Sequence, residues 1–166
     1  MEKNFVFIFD LDETLVDWSY QPPKLFPQAI AILENLKHQG YCIALASYNK
    51  SAVSVLQSFD ISKYFDVVEF ENLDDNQNIV TRDVIGLEIE QRYKYRGLAC
   101  DNKYDMLKAI MCKFNLPRNQ YIFLDDHQCN VRTANKLGMY GIHIGFGGVE
   151  WKHIWKAINY FEKIKK

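Results

Sequence analysis

The feature that most restricts the fold is a recurrence of short, mostly apolar runs: residues 5–10 (FVFIFD), 41–46 (YCIALA), 65–70 (FDVVEF), 121–124 (YIFL) and 140–144 (YGIHI). Runs of this length and kind suit strands covered on both faces, whereas a strand with one side in water alternates strictly. Between them the period changes to that of a helix. Ile30, Leu33 and Leu36 share a face before Gly40, and Val53, Leu56 and Phe59 repeat the spacing. Leu107, Ile110, Met111 and Phe114 step by three and four before Pro117, and Trp151, Ile154, Trp155, Ile158, Phe161 and Ile164 form an amphipathic tail helix. Strands alternating with such helices predict an α/β fold: a Rossmann-like, doubly wound parallel sheet in a three-layer α/β/α sandwich. With 166 residues, one domain over 1–166 can bury about 70% of the surface of its unfolded chain.

Charge excludes some functions. Twenty basic residues stand against twenty-one acidic ones, so no global field draws the protein onto nucleic acid or anionic lipid, and no extensive nucleic-acid surface is expected. A charged ligand has to be captured locally. The first apolar run is too short for a signal-peptide core or a membrane span. Cys42, Cys100, Cys112 and Cys129 form no C-x-x-C pair, and Cys42 and Cys112 fall in apolar runs. Buried free thiols of a reducing compartment account for them, so the expected location is cytoplasmic, or nuclear by diffusion.

One stretch breaks the rhythm. Residues 71–100 separate two regular units by far more than a usual connection. Their four basic residues (Arg82, Arg92, Lys94, Arg96) are outnumbered by six acids (Glu71, Asp74, Asp75, Asp83, Glu88, Glu90). An inserted, solvated arm or substrate-side flap is the expectation, with a homodimer contact as second choice.

Chemistry gathers at strand ends. In open parallel sheets ligands bind beyond the carboxyl ends of the strands. Asp10, Ser47 and the pair Asp125–Asp126 each follow such a run, and Asp12 lies two residues past Asp10. Carboxylates brought this close raise one another's pKa unless a cation neutralises them, and an all-oxygen set suits Mg2+, which commonly accompanies a phosphate. Lys103 adds a second clue. Asn102 reads as an N-cap with Asp105 three residues on, which puts Lys103 at a helix start where its charge opposes the dipole. That placement makes sense if the ammonium reaches across to the carboxylates and a phosphate. Lys108, farther along, reads as surface charge.

Asp10-Leu11-Asp12-Glu13-Thr14, then Ser47 after a strand, then Lys103, then Asp125–Asp126 after another strand resemble, in order and context, the four motifs of the haloacid dehalogenase superfamily. The resemblance spans nearly the whole chain and is strongest to the small magnesium-dependent phosphatases without a large cap domain, whose final motif is similar to YIFLDDHQCNVRTANKLGMYGIHI. It implies a Mg2+-dependent phosphomonoester hydrolase. Asp10 would be the nucleophile that forms an aspartyl-phosphate, and Asp12 the acid and base. Ser47, the amides of Tyr48 and Asn49, and Lys103 would hold the phosphoryl group. The Asp10 carboxylate, the Asp12 carbonyl and Asp125 would bind the metal, with Asp126 either a ligand through water or an outer partner. Thr14 and Asn130 would orient carboxylates. The string DLDETLV also resembles phosphatases of the RNA polymerase II tail, so the expected substrate is a phosphorylated small molecule or, as that resemblance implies, a phosphoprotein.

Other residues have plainer readings. His127 is expected exposed on the rim, His143 packed and hydrogen-bonded in its strand, and His38 and His153 exposed on helices. The tail tryptophans read as core. Trp18, Tyr20 and Phe26, just past Asp12, read equally as an aromatic lid or a structural flap. A two-component receiver domain uses similar residues in a different order. A catalytically silent phosphate-binding module and a nucleic-acid end phosphatase remain as rivals that assay can separate.

Overall fold

The computed structural model describes residues 5–71 and 103–165. The arm expected within 71–100 therefore lies outside the described residues save for Glu71, as does the proposed Asn102 cap.

Strands β1 (Val6–Phe9), β4 (Cys42–Ser47), β5 (Val67–Phe70), β6 (Tyr121–Asp125) and β7 (Tyr140–His143) form one parallel sheet in the order β5-β4-β1-β6-β7. Two further strands, β2 (Val16–Asp17) and β3 (Lys24–Leu25), make a small antiparallel hairpin directly after β1. The chain starts at the centre of the sheet, winds outward through β4 and β5, then returns to the other side of β1 for β6 and β7. Val6 is in register with both Cys42 and Tyr121. This is the doubly wound, Rossmann-like topology expected, and the reversal of strand order falls at β1, where such sheets open a crevice for ligands.

Successive side chains of a strand point to opposite faces, and each face here has its own apolar layer. Phe7, Phe9, Ile43, Leu45, Ile122 and Leu124 pack under helices α1 (Ala29–His38), α2 (Ala52–Ser58) and α5 (Trp151–Ile164). Val6, Ile8, Ala44, Ala46, Tyr121 and Phe123 pack under α3 (Tyr104–Phe114) and α4 (Gln128–Lys136). Both faces are dry, which is why the strand sequences carry so little polar alternation. Among the described residues there is no cap domain, only the hairpin.

Helix existence follows the sequence pattern, but helix rotation departs from it in places. The buried stripe of α1 is Ala29, Ile32, Leu33 and Leu36, so Ile30, one residue out of phase, faces water. Val53 is exposed for the same reason beside buried Ala52 and Leu56. In α5 the stripe runs through Ile154, Ala157 and Phe161; Trp155, about 100° round the helix from Ile154, is 60% exposed and is no core residue. Cys112 likewise leaves the buried stripe of α3 and is exposed, while Cys42 is half-buried. His153 is buried and not exposed, because its Nδ1 accepts the Glu150 backbone N–H (3.0 Å) and closes the start of α5. His143 is hydrogen-bonded but exposed, since β7 is an edge strand.

Candidate active site

Three adjacent strands point their carboxyl ends at one place. Asp10 directly follows β1, and its backbone N–H still donates to Leu124 O of β6 (2.9 Å), so the sheet ladder fixes where the side chain starts. Asp125 is the last residue of β6 and Ser47 the last of β4. Asp10, Ser47 and Asp125 are all buried.

Lys103 enters from the layer of α3. It occupies the N-cap position of that helix, one residue earlier than the sequence pattern places it, and its side chain is 1% exposed. The ammonium donates to an Asp10 carboxylate oxygen, to Ala46 O (2.7 Å) and to Asp125 Oδ2 (2.9 Å). Three protons meet three acceptors, so the buried cation leaves no donor unmatched. Helix propensity does not explain a lysine at this position; the two carboxylates do.

Asp125 is held from several sides. Oδ1 accepts the His127 N–H (2.7 Å), and Asn130 Nδ2 lies 3.2 and 3.0 Å from its two oxygens. Asn130 thus orients a carboxylate, as anticipated, whereas the buried Thr14 hydroxyl makes no hydrogen bond among the described residues. Asp126 is half-buried, and its carbonyl accepts from His143 Nε2 (2.8 Å). Asp12 sits at the mouth, where Oδ1 accepts Trp18 Nε1–H (2.6 Å) and Asn49 Nδ2–H (3.0 Å). Neither donor was foreseen. Asn49, two residues past Ser47, could have been picked out as a side chain at the same strand end; nothing in the spacing marks Trp18.

An open cleft of about 200 Å3 has Asp10, Asp12, Tyr48, Lys103, Asp126 and Asn130 among its walls. Ser47, buried at the end of β4, is not one of its walls, and its Oγ accepts the Asn49 backbone N–H (3.1 Å). That amide is therefore engaged within its own turn, a common use of a short hydroxyl side chain. Trp18 and Tyr20 are exposed near the tip of the hairpin, while Phe26 is buried and its ring closes on Gly148, where any Cβ would collide with it.

Burial pushes the Asp10 carboxyl up to about 7; Lys103 opposes the rise and Asp125 adds to it. Asp126 is raised by burial and then by Asp125. Burial alone would discharge Lys103, but Asp10 and then Asp125 more than reverse that and hold it as ammonium. Three carboxyl groups thus gather around one ammonium. Asp10, Asp125 and Asp126 each offer an oxygen, and those atoms lie within 4.8 Å of one another. An all-carboxylate donor set of this kind fits a hard divalent cation such as Mg2+.

The fold is the one shared by solved haloacid dehalogenase-like hydrolases. A haloacid dehalogenase-like hydrolase from Streptococcus pneumoniae superimposes with a TM-score of 0.61 at 16% identity, covering 96% of this chain and 92% of that one. A hydrolase of the same superfamily from Ehrlichia chaffeensis gives 0.61 at 15% identity, with 98% of each chain covered. In sequence, the chain is 27% identical over 164 residues to human magnesium-dependent phosphatase 1, covering 84% of this chain and 77% of the relative. The model of the acid phosphatase family matches residues 9–164, and the chain belongs to that family.

Proposed function

We propose that this phosphatase is a Mg2+-dependent phosphomonoesterase that works through an aspartyl-phosphate on Asp10. The observation that carries the reading is the Lys103 ammonium clamped between Asp10 and Asp125 at the base of the cleft. It holds one Asp10 oxygen in place and presents positive charge where a phosphoryl group would bind. The name of the human relative, magnesium-dependent phosphatase 1, supports the choice of ion.

Asp10, Asp125 and the Asp12 carbonyl would hold the ion, with Asp126 beside them. When bound, Mg2+ supplies charge neutralisation for the carboxylates and the phosphate. The residues of the chain do the rest. An Asp10 oxygen attacks phosphorus while the bond to the ester oxygen breaks, and Asp12 gives that oxygen its proton. The departing group leaves as an alcohol. Asp12, now a carboxylate, takes a proton from water, whose oxygen attacks phosphorus; inorganic phosphate leaves and the Asp10 carboxylate is restored. One difficult hydrolysis becomes two displacements. The Ser47 hydroxyl and the Tyr48 amide steady the phosphoryl oxygens, while Lys103, whose three protons are already placed, acts on them through its charge. The Asn49 amide joins them only if it gives up Ser47.

The test is hydrolysis of 4-nitrophenyl phosphate by purified protein with Mg2+, with EDTA, and with Mg2+ restored. Activity that follows the metal is expected. A folded protein inert toward a broad panel of phosphomonoesters in Mg2+ would instead favour the silent binding module.

A further inference from the structure

Asp12 has two oxygens, and the chain treats them differently. Oδ1 receives both the indole N–H of Trp18 and the amide of Asn49, while Oδ2 accepts nothing from the described residues. The orientation of Asn49 is fixed independently: its Oδ1 accepts the Ser51 backbone N–H (2.9 Å), which leaves only Nδ2 to face Asp12. The indole of Trp18 has no such ambiguity, since Nε1–H can only donate. Two obligate donors on one oxygen leave no room there for a carboxyl proton.

Trp18 is itself held. Its backbone N–H donates to Glu13 Oε1 (3.3 Å). Glu13 takes a positive φ of 58° that turns the chain back on itself, and its N–H reaches Val16 O (2.8 Å). On the other side Asp17 Oδ1 accepts the Ser19 N–H (2.9 Å) and closes the turn. The hairpin therefore delivers an N–H to a chosen atom at the mouth of the cleft.

We propose that Trp18 is a positioning residue for proton transfer: its N–H, with Asn49, confines the acidic proton of Asp12 to Oδ2 and aims it at the leaving oxygen. The inference rests on Asp12 being the acid, as proposed above. Such a role shows itself through the leaving group. A poor leaving group needs the proton and a good one scarcely does.

The experiment measures kcat/KM for a series of para-substituted phenyl phosphates, from 4-nitrophenyl to unsubstituted phenyl, in wild type, Trp18→Phe and Asp12→Asn, with a thermal melt of each. The ratio kcat/KM reports phosphoryl transfer and departure of the phenol, before water attacks. Trp18→Phe keeps the ring and loses the N–H. It should lower kcat/KM for phenyl phosphate about tenfold and for 4-nitrophenyl phosphate less than about twofold, a fraction of what a full acid contributes. A uniform loss across the series, with or without a lower Tm, would make Trp18 merely structural and overturn the inference. So would an unchanged profile alongside a steep one in Asp12→Asn. A flat profile in Asp12→Asn itself would instead sink the assignment of Asp12 as the acid.

Discussion

The two aspartates of Asp10-Leu11-Asp12 stand two residues apart and live in different surroundings. Asp10 continues from a strand buried on both faces and meets a full positive charge from Lys103. Asp12 stands half-buried at the cleft mouth and is held by two neutral donors, one from the hairpin and one from the loop after β4. A nucleophile must present one oxygen in one place, and sheet hydrogen bonding with a buried ion pair gives that rigidity. A proton carrier must change charge state during turnover. Neutral donors let it do so without leaving a buried charge stranded, which a lysine partner would not. The pair is divided by environment rather than by chemistry.

The largest effect should come from Asp10→Asn, which keeps the shape and removes the proposed nucleophile. Turnover should fall by at least about a thousandfold with the Tm nearly unchanged; normal activity would break the comparison outright. Lys103→Met should strike stability as well as rate. It leaves Asp10 and Asp125 buried without their shared cation, a loss of about 3–5 kcal/mol, or a Tm lower by about 6–20 °C at this size. Calorimetry of the double variant Lys103→Met, Asp10→Asn should show part of that recovered. Asn130→Ala loosens Asp125 and should raise the Mg2+ concentration for half-maximal activity by about tenfold or more, read from a metal titration at fixed substrate. An unchanged midpoint would mean Asp125 needs no orienting partner.

The smallest effect lies far from the cleft. Burial lowers the pKa of His153 from its ordinary 6.5. The unfolded chain then takes up a proton that the native protein refuses, so its contribution to stability is complete above pH 6.5 and is lost as pH falls through the native value. His153→Gln should flatten that part of the Tm profile and leave kinetics alone. A kinetic change would show that stability and site are coupled in a way the comparison denies.

The sequence made the acidic rim legible as a place, since its residues sit where strands end and strands covered on both faces announce themselves as apolar runs. Asp10, Ser47 and Asp125 needed only that pattern. Lys103 stood out because it conflicts with helix physics, and the conflict is resolved by two buried carboxylates. Less legible was everything decided by rotation or by loops. Ile30 and Trp155 fit an apolar repeat yet face water, because three- and four-residue spacing leaves the stripe uncertain by one position. Trp18 and the Asn49 side chain reach Asp12 through turns whose geometry depends on Glu13 at positive φ and on Asx hydrogen bonds. No periodicity encodes such a contact.

The central place of β1 carries a consequence for biosynthesis. Its partner on one side is Cys42–Ser47, made soon after it, but its partner on the other is Tyr121–Asp125, made more than a hundred residues later. Until Tyr121–Asp125 has been made, a ribosome-bound chain holds Asp10 beside a strand edge that lacks its native partner. Pairing β6 with β1 closes that edge and brings Asp125 to Asp10 in the same step, so the acidic rim is incomplete for as long as the edge stands open to another chain.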